Sequence, residues 1–382
     1  MSKENLDKDL FKLAKKDEDA SEKIARPSLT YWQDAWIRLR KNKGAIFGIV
    51  VLAIIMLMSI IGPYFNEDGI NDQELGLSKL PPRVQGLEDI RWLGLDGTKS
   101  DSYEGDSVEA VKERLRARFR VQDDEFMTYK VKSEGDGSPD SAEVKGYYHI
   151  YEAKDLNEEY FWFGTDALGR DLFTRTWYGT RISLYIAFLA ALIDLVVGVA
   201  YGGISAYYGG RVDNVMQRII EILVGIPNLV VVILMIMILE PGIISITIAL
   251  TLTGWTGMAR MVRGQVLKLK NQEFVLASRT LGAPDKRILT RHLIPNTLAI
   301  IIVNTMFTIP AAIFFEAFLS FIGLGLQSPD ASLGTLINDG FDSMMINPYM
   351  MIFPAIVISL VMIGFNILAD GLRDALDPKM RE

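Results

Sequence analysis

Six long apolar stretches, separated by polar segments of very unequal length, dominate the pattern of residues along the chain. A helix needs about 20 predominantly apolar residues to cross the ~30 Å hydrocarbon layer of a membrane. Six stretches approach this length, at residues 45–62, 182–206, 222–239, 243–258, 297–322 and 349–368. The pattern therefore predicts an all-α polytopic membrane protein with six transmembrane helices.

The longest polar segment, residues 63–160, contains no stretch that could cross a membrane. Residues 106–121 within it carry Val108, Val111 and Leu115 at helical spacing, which predicts a helix. Two later stretches, FMTYKVK and VKGYYHIYEA, alternate apolar and polar residues around a turn-rich segment, and this pattern predicts two antiparallel strands. We expect a small α+β domain inserted between the first and second transmembrane helices.

Charge divides the chain into an acidic insert and a basic membrane body. Residues 63–160 hold 23 acidic and 13 basic side chains, whereas the remainder holds 24 acidic and 27 basic ones. Lysine and arginine concentrate before the first span, between the fourth and fifth spans and after the sixth, and cytoplasmic segments carry such an excess. The bias predicts that both termini are cytoplasmic, with tails at 1–30 and 373–382, and that the domain at 63–160 is extracellular.

The residues just before the first span predict a helix that lies in the membrane interface. Tyr31, Trp32, Trp36 and Leu39 fall near one face of this helix, and basic residues follow them. An amphipathic helix of this kind rests in the headgroup layer, with its aromatic side chains facing the lipid. Residues 31–62 are therefore expected to form an interfacial helix followed by the first transmembrane helix.

The composition excludes several kinds of enzyme site. The chain has no cysteine, so disulfides, thiolate metal sites and cysteine nucleophiles are excluded. It has two histidines, His149 and His292, which lie far apart in the sequence and make a histidine-rich metal site or a Ser-His-Asp triad hard to assemble. We therefore predict no catalytic residue, no metal site and no bound cofactor in this chain.

A basic segment between the fourth and fifth spans, residues 264–292, has the features of a helical hairpin that a partner could dock on. Phe274, Ala277, Ser278 and Leu281 follow helical spacing, and Gly282 can take the left-handed conformation that ends a helix. A second helix would begin at Pro284, and Pro295 closes the segment. The predicted docking residues are Glu273, Phe274, Ala277, Ser278, Arg279, Leu281, Gly282, Ala283, Pro284 and Asp285. An ordinary loop whose basic residues only enforce topology is the alternative.

Three motifs resemble those of bacterial ABC importer permeases, and more closely the C-type permeases of the dipeptide and oligopeptide branch. Residues 273–283 match the pattern E-[YF]-V-x-A-[AS]-R-x-L-G-A of the cytoplasmic coupling loop, although Leu276 and His292 replace the glutamate and isoleucine of the general importer motif. Residues 162–184 and 315–340 are similar to the loops that lead into span two and follow span five. The resemblance does not cover residues 63–160, an insert that is unusual for the family.

The resemblance implies a type I ABC importer subunit in a bacterial cell membrane, with residues 161–372 as the permease core. It implies a second, B-type permease, two ABC ATPases that bind ATP and magnesium, an extracellular substrate-binding protein and a peptide substrate, and no nucleic acid. The ATPases would push on the coupling helices and rock the two permeases between inward-facing and outward-facing states.

Two carboxylates inside the predicted spans are candidates for the translocation path. Asp194 lies in the middle of the second span and Glu316 in the fifth, and charges at such depth usually face a bundle interior or a wet path. Hydrogen bonding within the bundle is the alternative for both, and it is favoured for Glu316. Pro227 and Pro310 are expected to kink their helices.

Other functions remain open at this point. Permeases for nickel or other metal chelates share this architecture. A receptor with an extracellular ligand-binding domain is a reading from a different class, and a self-contained channel or secondary transporter is a third.

Overall fold

The computed structural model describes residues 30–66, 69–90, 94–135, 138, 140–327 and 329–377, and most of these residues are helical. The predicted cytoplasmic tail at 1–30 lies outside the described residues except for Thr30, and so does the end of the predicted tail at 373–382.

Two consecutive helices, α1 (Tyr31–Lys41) and α2 (Lys43–Ile61), begin the described chain. Thr30 caps α1, and the side chain of Asn42 accepts a hydrogen bond from the backbone of Ala45 and caps α2. Trp32 and Trp36 are about half exposed on α1, whereas Ala35 and Leu39 are buried. The predicted amphipathic helix is thus present, and its apolar face packs against the last helix of the chain.

The polar segment forms a small α+β domain, with a sheet of three strands rather than the two predicted. Its elements are β1 (Lys99–Gly105), α3 (Val108–Phe119), β2 (Met127–Glu134), β3 (Ala142–Tyr148) and the short α4 (Ile150–Ala153). The strand order is β1-β3-β2, and both pairs are antiparallel. β1 escaped prediction because its sequence, KSDSYEG, has no apolar alternation and becomes a strand only by pairing with β3. The expected continuation of β3 through HIYEA is wrong, because the chain turns into α4 at Ile150.

Three long helices hold the membrane body together: α5 (Leu172–Tyr208), α11 (Ile294–Phe321) and α13 (Tyr349–Leu376). The helix α5 contains the predicted second span, 182–206, and begins ten residues earlier, because Asp171 caps it by accepting a hydrogen bond from the backbone N–H of Thr174 at 2.8 Å. At 1.5 Å per residue, the 37 residues of α5 span about 55 Å, well beyond the hydrocarbon layer.

The predicted third span, 222–239, is not one helix. The chain forms α6 (Gly210–Gly225) and α7 (Asn228–Leu239), which meet at an angle of 81°. Pro227 stands at the break, at the N-cap position of α7, and it has no N–H that could continue the hydrogen bonding of α6. Pro310, by contrast, lies inside α11, which continues on both sides of it.

Among the described residues, four helices are long and apolar enough to cross a membrane, and a fifth span results if the bent α6–α7 pair counts as one. The helix α8 (Ile243–Leu269), which contains the predicted fourth span, is not among them. Its second half carries Arg260, Arg263 and Lys268, and Thr and Gly dilute its first half. Six spans therefore remain a prediction.

The core of the membrane body lies around α5, which packs against both α8 and α11. Gly198 and Gly202 of α5 lie directly against the backbone of α8, so that a Cβ atom at Gly202 would come within 2.2 Å of the carbonyl oxygen of Ala259. The sequence Gly-x-x-x-Gly here does produce a close helix contact, as such spacing permits.

Candidate functional site

The predicted hairpin is present and turns at Gly282. Helix α9 (Glu273–Thr280) forms its first arm, and the second arm begins with α10 (Asp285–Arg287). Gly282 has φ +80°, its N–H donates to the carbonyl of Arg279, and the N–H of Ala283 donates to the carbonyl of Ser278. This pair of hydrogen bonds is the Schellman motif, which needs a left-handed residue at the position of Gly282.

The second arm is not a separate helix that stops at Pro295, as the sequence suggested. Residues 288–293 form one wide π-helical turn that joins α10 directly to α11, and Pro295 lies in the first turn of α11. Pro295 has no N–H to donate, and it lies just after the π-helical turn, where the hydrogen-bond pattern of the helix changes. Similarly, residues 264–269 belong to α8, so the hairpin proper runs from Glu273 to Arg287.

The hairpin exposes three large apolar side chains. Leu281 is 87% exposed, Leu276 46% and Phe274 41%. Glu273, Ala277, Arg279, Pro284 and Asp285 are also exposed, whereas Ser278 and Ala283 are half-buried. Isolated exposed apolar residues are common on proteins, but three on one short hairpin beside basic residues are side chains that a partner could cover.

The inner surface of the hairpin is firmly packed on the membrane helices. Val275, Ile288 and Leu293 are fully buried in an apolar cluster with residues of α5 and α8. The hydroxyl of Tyr207, in the last turn of α5, donates a hydrogen bond of 2.6 Å to Asp285. The ammonium of Lys270 donates at 2.8 Å to the carbonyl of Ala206, also at the end of α5. The hairpin is therefore a rigid extension of the membrane body.

Asp194, the first path candidate, lies in the contact between α5 and α8. It is 6% exposed, and both carboxylate oxygens approach Gly254 so closely that a Cβ atom there would meet them at 2.8 Å. Its Oδ1 atom has no hydrogen-bond partner among the described residues. The structure thus places this carboxylate at a helix seam that requires glycine.

Glu316, the second path candidate, is fully buried and hydrogen-bonded by two serines. Ser183 of α5 and Ser320 of α11 each donate to its carboxylate at 2.9 Å. Ser183 also accepts from the N–H of Leu333 at 3.2 Å, at the start of α12 (Leu333–Asp342). These contacts tie three helices together and favour the structural role over a path role for Glu316.

The structure also shows an ion pair that sequence reasoning missed. Arg263 of α8 binds Asp213 of α6 through two hydrogen bonds, of 2.7 and 2.6 Å, and the hydroxyl of Ser205 donates to the same carboxylate at 2.5 Å. The partners are 50 residues apart, and Arg263 is one of the basic residues between the fourth and fifth spans that the sequence pattern explains by topology alone. No local signal in the sequence pairs them.

These features define a class: a multi-span helical membrane protein that presents a rigid hairpin on one side. Residues 195–382 match the family described as binding-protein-dependent transport system inner membrane component, and residues 30–82 match the N-terminal transmembrane domain of oligopeptide transport permease C. The chain belongs to this family of C-type permeases of dipeptide and oligopeptide ABC transporters.

Two relatives illustrate the extent of the similarity. The dipeptide transport system permease protein DppC of Bacillus subtilis is 42% identical over 94% of this chain and 90% of its own length. The oligopeptide transport system permease protein OppC of the same organism is 39% identical over 99% of this chain and 100% of its own length. The two family models leave residues 83–194 uncovered, and the expectation that the insert at 63–160 is unusual for the family stays a prediction.

Among solved structures, the inward-facing MetNI methionine ABC transporter resembles this chain with a TM-score of 0.44 and 21% identity. The match covers 52% of this chain and 94% of the other.

Proposed function

We propose that this chain is the membrane-spanning permease subunit of an ATP-driven importer of short peptides. The observation that carries the proposal is the hairpin at Glu273–Arg287, exposed on its outer surface and fixed to the membrane body on its inner surface. An ordinary topogenic loop needs neither the Schellman corner nor the buried base. Peptide is the substrate class favoured, because the relatives are named as dipeptide and oligopeptide permeases.

The working complex contains a second permease, two ATPases and an extracellular substrate-binding protein. ATP and magnesium bind to the ATPases. This chain forms half of the translocation path, and the ATPases move it through the hairpin. Nucleotide binding shifts the permeases between two states only if the ATPases contact the hairpin differently in each state. The exposed side chains of Phe274, Leu276 and Leu281 form the surface for that contact.

The chain crosses the bacterial cell membrane six times, with both termini in the cytoplasm. In this arrangement α8 supplies a span through its less charged first half, and the bent α6–α7 pair supplies another. The α+β domain then lies outside the cell, and the hairpin lies inside with its basic neighbours. Asp194 and Glu316 lie within the bundle, Glu316 as a structural link and Asp194 as the remaining candidate for the path.

Replacing Gly282 by valine tests the coupling role. An ideal Cβ atom at Gly282 meets nothing within 4 Å, so crowding is not the problem, but the left-handed backbone costs an L-residue ~1–2 kcal/mol. A β-branched residue tolerates this conformation still less. The turn at Gly282 then changes its conformation and displaces the exposed end of the hairpin. We expect uptake of a labelled peptide to fall about tenfold, because a cost of 1.4 kcal/mol changes an equilibrium tenfold.

The matched control is Gly264→Val. Gly264 lies within helix α8, its φ is negative, and a Cβ atom there also meets nothing within 4 Å. Uptake by Gly264→Val should stay within twofold of the unmodified chain, with equal amounts of both variants in the membrane. Normal uptake by Gly282→Val at equal abundance would remove the basis for the coupling assignment.

A further inference from the structure

One side chain contacts both arms of the hairpin from the end of α5. The ring of Tyr207 is 7% exposed, and its hydroxyl donates to Oδ1 of Asp285, at the start of the second arm, over 2.6 Å. The guanidinium of Arg279, at the end of the first arm, lies 5.7 Å from the centroid of the same ring. Tyr207 therefore bridges the Gly282 corner on its inner side.

These two contacts differ in kind from the apolar packing around them. The packing of Val275 and Ile288 resists compression but has no preferred direction, because dispersion and the hydrophobic effect are not directional. A short hydrogen bond to a carboxylate and a cation above an aromatic face both fix orientation. Tyr207 is thus a directional contact from α5 to both arms of the hairpin, whereas the hydrogen bond of Lys270 to Ala206 reaches α5 from the segment before the first arm.

The helix that carries Tyr207 reaches the opposite side of the membrane body. Ser183, which holds the carboxylate of Glu316, lies 24 residues earlier in the same unbroken helix, or about 36 Å along its axis. A tilt imposed at Tyr207 therefore reaches the contact among α5, α11 and α12 at the far end. Asp194 and its seam with α8 lie between these two points.

We propose that Tyr207 is a positioning residue that transmits displacement of the hairpin to α5, and that Asp285 is its partner in this role. This inference rests on the proposed function, because it presupposes that an ATPase moves the hairpin. The inference adds that motion of the hairpin passes to the membrane helices through the contact of Tyr207 with Asp285, and not evenly through the apolar cluster around Val275 and Ile288.

The test compares Tyr207→Phe with Tyr208→Phe in the full importer complex, reconstituted in proteoliposomes with its binding protein. Tyr208→Phe is the matched control, because Tyr208 is the next residue, is 57% exposed and has no hydrogen bond through its hydroxyl among the described contacts. Both ATP hydrolysis and uptake of a labelled tripeptide are measured, and the readout is peptide imported per ATP hydrolysed.

We expect Tyr207→Phe to lower this ratio about tenfold while ATP hydrolysis stays within twofold, because the variant loses the hydrogen bond to the carboxylate of Asp285. Tyr208→Phe should leave the ratio unchanged. Asp285→Ala should lower it to a similar extent, and the double variant Tyr207→Phe/Asp285→Ala should be no worse than either single one, since Phe removes the donor and Ala the acceptor of the same hydrogen bond.

An unchanged ratio in Tyr207→Phe would overturn the inference. If Tyr207→Phe fails to assemble, Asp285→Ala decides, because Asp285 is exposed, and an unchanged ratio there has the same meaning. The outcome is separable from the proposed function. Loss of uptake in Gly282→Val together with normal coupling in Tyr207→Phe rejects only this inference, whereas normal uptake in Gly282→Val rejects the proposed function.

Discussion

Substitution of Gly202 by alanine should open the contact between α5 and α8. The added Cβ atom would lie 2.2 Å from the carbonyl oxygen of Ala259, which falls 1.2 Å short of the 3.4 Å at which ordinary contact begins. The obstacle is backbone on the facing helix and cannot rotate away. The two helices must therefore separate by about 1 Å along this seam.

Such a separation has a calculable cost. Overpacking of a close contact costs ~1–3 kcal/mol, and a gap of 0.5–1 Å forfeits about a quarter to a half of the dispersion energy of the atoms that line it. The neighbouring contact of Gly198 with Met258 lies on the same seam and opens with it. We expect Gly202→Ala to destabilise the protein by about 2 kcal/mol.

The matched control is Gly203→Ala, one residue further along the same helix. Its Cβ atom would meet only the side chain of Leu289, at 3.4 Å, which is ordinary contact. Because alanine is the better helix former by ~1 kcal/mol, this variant should be neutral or slightly stabilised. The assay heats the detergent-solubilised protein and records the temperature at which half of it stays monodisperse. If this temperature is the same for Gly202→Ala and Gly203→Ala, the argument from backbone contact is refuted.

Two further predictions concern the ion pair and the orientation. Asp213→Asn should destabilise the protein by ~2 kcal/mol in the same heating assay, because it leaves the charge of Arg263 without its carboxylate. Adding Arg263→Leu to this variant should recover part of the lost stability. If the destabilisation of the double variant equals the sum of the two single ones, the ion pair contributes nothing to stability. The chain has no cysteine, so a single one introduced at Glu134 or Thr280, both exposed, reports its side of the membrane without background. In intact cells a membrane-impermeant thiol reagent should label Glu134→Cys and spare Thr280→Cys, and the reverse pattern would contradict the proposed orientation.

The hairpin corner could be predicted from sequence because its cause is local. Gly282 follows a helical run and precedes a proline, and only glycine adopts φ +80° without strain. The same holds for α3 and for β2 and β3, whose apolar spacing is a property of a few consecutive residues. The break at Pro227 was also visible in the sequence, but only as a kink, since the angle of 81° depends on what packs around it.

The links between distant helices could not be predicted. The hydrogen bonds of Tyr207 with Asp285, Arg263 with Asp213 and Ser183 with Glu316 join residues 78, 50 and 133 positions apart. Taken alone in the sequence, Tyr207 is explained as a tyrosine at the membrane interface, Arg263 as an arginine that sets the membrane topology, and Ser183 as a polar residue within a span. Only the packing of α5 against its neighbours turns these residues into contacts.

By itself the sequence determined which segments are apolar enough to enter a membrane, where the helices of the hairpin turn, and which family the chain resembles. Each of these depends on the order of neighbouring residues and on the solvent that surrounds them. The tertiary structure decided the third strand, the continuity of the hairpin with α11, the place of Asp194 against Gly254, and the partners of Glu316 and Asp285. These depend on which helices meet, and that choice is made by packing summed over the whole bundle.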